Sequence, residues 1–268
     1  MISAHNLSVS LGGRAIIQGV DFAACAGSLT AIVGPNGSGK TTLLKALSGD
    51  LSYTGSVILA GQELGQMTAG AAARRRAVLP QQAVLAFPFT VREVVRLGML
   101  AGFSGARPGE VDTLPERALA RVDLAGFSNR FYQELSGGEQ QRVQLARVLC
   151  QVWAPVLDGQ PRALLLDEPV SSLDIRHQLT VMDVARDFAR AGGAVVAVLH
   201  DLNLTAMYAD HLHVMHGGRV AASGRVEDVL DDELMERVFG CRLKVGHVPL
   251  GNVPFVLPQS VLDQRSAA

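Results

Sequence analysis

Lysine is scarce in this chain. Its 268 residues include only Lys40, Lys45 and Lys244, and the other 21 basic residues are arginines, so each lysine has to be read in its context. Cysteine is scarce too. Cys25, Cys150 and Cys241 are far apart, odd in number and without a Cys-x-x-Cys pair. That excludes a disulfide framework or a structural zinc site and fits a reducing compartment. Neither charge dominates, with 24 basic against 25 acidic residues, so the electrostatic footprint of a nucleic-acid binder is missing. No stretch approaches the roughly 18–20 apolar residues that span a bilayer. The opening MISAHNLSVS lacks the charged and then apolar segments of a secretory signal. A membrane role would run through partner subunits.

The length is generous for one domain and short for two, and a mixed sheet-and-helix unit of this size buries enough surface to fold without staples. No internal repeat is present. Residues 7–33 read as short strands broken at Gly12-Gly13 and Gly27, ending in the apolar run Leu29–Val33. A glycine-rich turn at 34–39 leads into a helix over Thr41–Leu47, with Leu43, Leu44 and Leu47 on one face. Residues 52–61 suggest a strand pair. Residues 90–130 read as mostly helical from a Thr90-x-x-Glu93 capping box onward, and 139–150 as another helix. Ala163–Leu166 and Ala194–Leu199 are apolar without alternation, as in central strands of a parallel sheet covered on both faces. A hairpin is expected over 211–222 around Gly217-Gly218. The tail 241–268, rich in Pro, Val and Gly, carries weak signals, with disorder expected at its end.

Residues Gly34-Pro35-Asn36-Gly37-Ser38-Gly39-Lys40-Thr41, followed by Thr42, match GxxxxGK[ST] between a buried strand and a helix. Glycines let the backbone wrap so that several N–H groups converge on phosphate oxygens, and the helix N-terminus adds its positive dipole end. Lys40 is placed to reach the β- and γ-phosphates, and the Thr41 hydroxyl to ligate Mg²⁺. The run Ala163–Leu166 ends in Asp167-Glu168, which sets two acids at the carboxyl edge of the sheet beside that loop. Asp167 is then a candidate for holding Mg²⁺ through water, and Glu168 for general base on the attacking water. An apolar strand ending in two acids is by itself a weak signal; its weight comes from the phosphate loop.

A second anion-binding device stands at Leu135-Ser136-Gly137-Gly138-Glu139, a Ser-Gly-Gly turn opening a helix. It lies about a hundred residues after the first. One terminal phosphate does not need two such cradles from one chain, so the turn is expected to serve a nucleotide on a second subunit.

With these residues the sequence resembles the ABC ATPases. Their LSGGQ signature stands here as LSGGE, with Glu139 in place of the usual Gln. Pro80-Gln81 resembles the Q-loop, whose glutamine senses Mg²⁺ and the transmembrane partner. Ser171-Ser172-Leu173-Asp174 resembles the D-loop that crosses a dimer interface. His200, after Ala194–Leu199, resembles the switch histidine at the γ-phosphate. The resemblance spans residues 1 to about 230. It implies an α/β P-loop NTPase fold with an N-terminal antiparallel β subdomain. A helical subdomain at about 83–150 would be inserted in an ATPase domain of 1–240, followed by an extension at 241–268. It further implies ATP and Mg²⁺ as ligands, and Asp174 and the 136–139 turn as parts of a shared ATP sandwich in a homodimer. One departure concerns adenine. The family usually carries an aromatic residue in an early loop, where this chain has Leu11. Stacking is worth about 1–3 kcal/mol per base, so weak discrimination between ATP and GTP is expected.

The stretch Ala86-Phe-Pro-Phe-Thr-Val-Arg-Glu-Val-Val95 is similar to importers of haem, ferric siderophores and vitamin B12. The extension Gln151–Arg162 with Trp153-Ala-Pro, and the tail Phe239–Pro258, are similar to the haem-import ATPase group, with siderophore or cobalamin as the alternative cargo. The resemblance implies two transmembrane permease subunits, indirectly a periplasmic haem-binding protein, no nucleic acid, and a peripheral position on the cytoplasmic face of a bacterial inner membrane. His211-x-His213-x-x-His216 suggests a haem or metal site, but at the expected hairpin these are read as structural or surface histidines. Arg74-Arg75-Arg76 is read as part of a solvated helix before the strand leading to Gln81. Two other readings remain: a soluble ABC ATPase acting on DNA or ribosomes, for which the chain shows no long coiled coil, tandem second ATPase domain or basic surface; and a cassette that assembles without hydrolysing, which the intact Lys40, Asp167, Glu168 and His200 oppose.

Overall fold

The computed structural model describes residues 1–82, 85, 87–100, 104–249, 251 and 254–261. In chain order the strands and helices are β1 (Ile2–Leu11), β2 (Arg14–Ala24), β3 (Leu29–Val33), α1 (Lys40–Ser48), β4 (Thr54–Leu59), β5 (Gln62–Glu63), α2 (Ala69–Arg75) and β6 (Arg76–Leu79). Then follow α3 (Val91–Leu100), α4 (Leu114–Arg121), α5 (Gly137–Gln151), β7 (Val156–Leu157), β8 (Gln160–Pro161), β9 (Ala163–Asp167) and α6 (Ile175–Arg190). The chain closes with β10 (Ala194–Val198), α7 (Leu202–Tyr208), β11 (His211–His216), β12 (Arg219–Arg225), α8 (Val226–Val229) and α9 (Asp232–Phe239).

Strand composition decides the architecture. β3, β9 and β10 are buried at every position and apolar apart from Thr30 and the terminal Asp167. They form the middle of a six-stranded sheet in the order β12-β11-β3-β10-β9-β6. Neighbouring strands from β11 to β6 run parallel, and only β12 turns back, as the second strand of the expected hairpin. β1 and β2 alternate apolar and polar residues instead, and pair antiparallel with β4 and β5 in a separate sheet ordered β2-β1-β4-β5. One core, with Leu43, Leu44 and Leu47 of α1, fills the space between the two sheets. A second core lies on the opposite face of the large sheet, under α6 and the helices α3, α4 and α5.

The expectation of a mostly helical 90–130 is only partly met. α3 and α4 occupy 91–100 and 114–121, with a 3₁₀ turn at Pro108–Glu110 between them. The intervening Gly105, Pro108 and Gly109 break the helical period. The Thr90–Glu93 box does form, with Glu93 Oε2 accepting from the Thr90 N–H at 2.7 Å. Gly98 lets α3 approach α5 closely: a Cβ there would sit 1.9 Å from the Arg147 carbonyl oxygen. Arg162, fully buried, braces the 151–162 extension against this arm, its guanidinium donating to the carbonyls of Ser104 and Gln151.

Arg74 and Arg75 end α2, near its negative dipole end, but Arg76 opens β6 and is part-buried, and burial lowers its pKa, so the solvated-helix reading does not hold for it. His213 is buried, its ring 4.4 Å from that of Phe22 and its Nε2 3.2 Å from the Ala23 carbonyl, while His211 and His216 stand exposed at the strand ends. Among the described residues no cluster of three or more His, Cys, Asp or Glu could hold a metal, and no helix is long and apolar enough to cross a membrane. Ala86 of the importer-like stretch, part of the 83–150 arm, and the end of the tail where disorder was expected lie outside the described residues.

Candidate functional site

Four consecutive parallel strands deliver the site. β3 runs into the phosphate loop, β10 into His200, β9 into Asp167-Glu168 and β6 into Gln81, and these strands are neighbours in the order β3-β10-β9-β6. All four segments therefore emerge at one carboxyl edge, where open α/β sheets bind ligands.

The loop 34–39 needs its glycines. Gly34, Gly37 and Gly39 have φ of 146°, 76° and 102°, and a Cβ on Gly34 would lie 2.1 Å from the Met215 carbonyl oxygen. Gly39 caps α1 without any side-chain bond, so the first-turn N–H groups point outward with no partner in the helix. The buried Ser38 hydroxyl has no hydrogen-bond partner among the described residues. Lys40 Nζ donates to the carbonyls of Gly34 and Pro35 at 2.9 and 3.1 Å. Burial lowers the Lys40 pKa, against the opposing pull of Glu168 and Asp167. Together these donors suit a polyanion.

Asp167 ends β9 and is 2 % exposed. Its Oδ1 accepts from the Thr41 hydroxyl at 3.0 Å. Burial raises its pKa, the Thr41 bond opposes that, and Glu168 raises it further. Glu168 is held from both sides: His200 Nε2 lies 2.6 Å from Oε1 and Gln81 Nε2 donates to Oε2 at 2.8 Å. The cleft over these groups is about 850 Å³ and is lined by Asn36, Gly37, Gly39, Lys40, Thr41, Thr42, Gln81, Glu168 and His200, together with Arg14 and Ile16.

Sequence reasoning missed Arg14 and Ile16. It looked for the base-binding residue at Leu11, which is exposed at the end of β1 and does not line the cleft. No simple alternation marked them, because β2 bulges at Ile16, between the pairs Val9–Ile17 and Ser10–Ala15.

Ser136, Gly137, Gly138, Glu139 and Asp174 do not line this cleft. Ser136 caps α5 in a capping box: its hydroxyl accepts from the Glu139 N–H at 3.3 Å, and Glu139 Oε2 takes the Ser136 N–H and hydroxyl, both at 2.8 Å. These bonds lower the Glu139 pKa, the Ser136 side-chain bond most. The Ser-x-x-Glu spacing announced this box, although Glu139 was read only as a stand-in for Gln. Asp174 caps α6, accepting from the His177 N–H at 2.9 Å.

Comparison with known proteins agrees with this geometry. The ABC transporter family model matches residues 17–171, more than half of the chain. The hemin import ATP-binding protein HmuV of Mesorhizobium japonicum is 68% identical over 97% of this chain and 99% of its own. Its namesake in a Chelativorans species is 63% identical over 98% and 100%. Among solved structures, an ATP-binding cassette in a dimeric post-hydrolysis state with ADP and Pi superposes with a TM-score of 0.72 at 22% identity, covering 84% of this chain and 99% of that one.

Proposed function

Because this chain belongs to the ABC transporter family, we propose that it is the ATP-hydrolysing subunit of an importer of haem, acting as one of two identical copies at the cytoplasmic face of a bacterial inner membrane. The observation that carries the reading is the convergence of Lys40, Thr41, Asp167, Glu168, Gln81 and His200 on one strand edge, in a chain whose relatives are hemin import ATP-binding proteins over nearly their full length. Residues 1–240 are then the ATPase domain, with 83–150 as its helical arm, and 241–268 an extension.

In this reading the loop 34–42 cradles the phosphates of ATP, and Lys40 exchanges its two carbonyl partners for phosphate oxygens, whose charge offsets the hydration that burial takes from the ammonium. Thr41 and Asp167 offer hard oxygen donors already within hydrogen-bond distance of each other, which suits Mg²⁺, with the Gln81 side chain as a further donor. The ion would neutralise charge on the transferred phosphate. Glu168 accepts a proton from the attacking water, and His200 and Gln81 orient its two oxygens. The Ser136–Glu139 turn and Asp174, which stand outside this cleft, complete the pocket of the partner copy; the dimeric state of the ADP-bound cassette supports that arrangement. ATP favours the closed pair, hydrolysis releases it, and two transmembrane permease subunits, fed by a periplasmic haem-binding protein, receive the motion.

Co-purification with the permease subunits, followed by ATP-driven uptake in vesicles of haem against cobalamin and a ferric siderophore, tests this. Uptake of haem is expected; uptake of either competitor in its place would reassign the cargo.

A further inference from the structure

Glu168 holds a backbone conformation that its side chain disfavours. Its φ is 50°, a left-handed value that costs a non-glycine residue on the order of 1–3 kcal/mol and persists only where the surroundings enforce it. Its carbonyl oxygen shows what enforces it. That oxygen accepts from Gln141 Nε2 at 2.9 Å, from the Ser171 hydroxyl at 3.2 Å and from the Ser171 N–H at 3.4 Å. Ser171 is local. Gln141 is not: it belongs to α5, the helix that the Ser136 turn opens.

We infer that Gln141 is a positioning residue for Glu168, and that through it α5 ties the Ser136 turn, which faces the partner's ATP, to the base acting on the chain's own ATP. The inference rests on the shared-pocket reading above. The neighbouring contacts make α5 suited to the task. Gln140 donates to the carbonyls of Tyr132 and Leu135, fixing the segment that enters the turn, at 3.1 and 3.2 Å. Gly138 brings the helix against the 171–174 segment, where a Cβ would meet Leu173 Cδ2 at 3.1 Å. A shift or rotation of α5 as its N-terminus engages a phosphate is thus passed to the Glu168 main chain. Packing does not account for a glutamine here. The Gln141 Oε1 is buried with no hydrogen-bond partner among the described residues, a cost that an apolar side chain of equal length would avoid.

The test compares Gln141→Met, which keeps length and loses the donor, with Gln141→Lys, which keeps a donor, in the full chain assembled with its permease subunits. Steady-state hydrolysis is followed against ATP concentration, with equilibrium ATP binding and thermal unfolding alongside. Gln141→Met is expected to lower kcat about ten- to a hundredfold, as for a misplaced catalytic group. Its Hill coefficient should fall toward unity while ATP affinity and Tm hold, and Gln141→Lys should restore most of both kinetic losses. An unchanged kcat and Hill coefficient in Gln141→Met, or a loss that follows Tm and is not rescued by Lys, overturns the inference. Should Gln141→Met fail to fold, Ser171→Ala serves: a lowered kcat at constant Tm supports the tethered carbonyl, and an unchanged kcat refutes it. Glu168→Gln separates this from the reading beneath it, since undiminished turnover there removes the base itself.

Discussion

His200 Nε2 lies 2.6 Å from Glu168 Oε1, and the other carboxylate oxygen is taken by Gln81. The carboxylate proposed as base is thus held by residues from two other strand ends. Glu168→Gln preserves shape and removes the proton acceptor. Turnover is expected to drop about 10²–10⁴-fold while ATP still binds, with the closed pair accumulating. Size-exclusion chromatography with ATP and a phosphate-release assay check both halves; normal release would remove Glu168 from the role.

Glu139 presents a carboxylate at a helix N-terminus meant, in the proposed pair, for a phosphate. The charge favours the helix by roughly 0.3–1 kcal/mol but occupies the Ser136 hydroxyl and repels an incoming anion. Glu139→Gln is expected to tighten ATP-driven pairing while lowering Tm slightly. Weaker pairing, measured as the ATP concentration at half-maximal dimer, would contradict this.

Two crowded glycines should behave differently. Gly34→Ala would drive a Cβ into the Met215 carbonyl and abolish ATP binding through the distorted loop. Gly98→Ala would instead push α3 off α5, costing about 1–3 kcal/mol as an overpacked core, with ATP affinity unchanged. Paired calorimetry and denaturant titrations distinguish the two.

His213 sets a pH dependence of stability. Burial lowers its folded pKa from 6.5, partly offset by its bond to the Ala23 carbonyl, and His211 lowers it further. A group whose pKa is depressed on folding contributes stability above the unfolded value and loses it as pH falls through the folded one. Stability should therefore decline below pH 6.5. His213→Phe, which keeps a ring against Phe22, should flatten that decline, as followed by urea titrations across the acid range; an unaltered slope would exclude His213 as its source.

Arg14 and Ile16, in place of an aromatic ring, line the cleft beside the phosphate loop. A guanidinium over a base offers sequence-tolerant contact. ATP and GTP should compete at comparable concentrations at equal salt, and Arg14→Ala should weaken both alike. A strong preference for ATP in either protein would refute this.

The candidate site at the carboxyl edge was legible because its pattern is written in contiguous residues. A glycine loop ending in Lys40-Thr41, and an apolar strand ending in Asp167-Glu168, each carry their own spacing. The parallel sheet was legible because β3, β9 and β10 lack alternation. Residues 90–130 were overread, since apolar content alone does not distinguish two short helices from one long element when Gly105, Pro108 and Gly109 intervene. The left-handed backbone of Glu168 and its bond to Gln141 could not be read at all. They depend on where α5 comes to lie against the sheet, 27 residues away along the chain.

Gly218 leaves room for nothing larger beside Ile16, where a Cβ would stand 2.4 Å from the carbonyl oxygen, just as Gly34 does against Met215. Both tight spots involve the β11–β12 hairpin, which therefore acts as a common wedge between the strand bearing Arg14 and the loop bearing Lys40. A bulkier residue at Gly218 would therefore press on the strand bearing Arg14, while a shift of Met215 in the same hairpin would press on Gly34. Substitutions in this hairpin are expected to disturb both flanks of the proposed nucleotide site together.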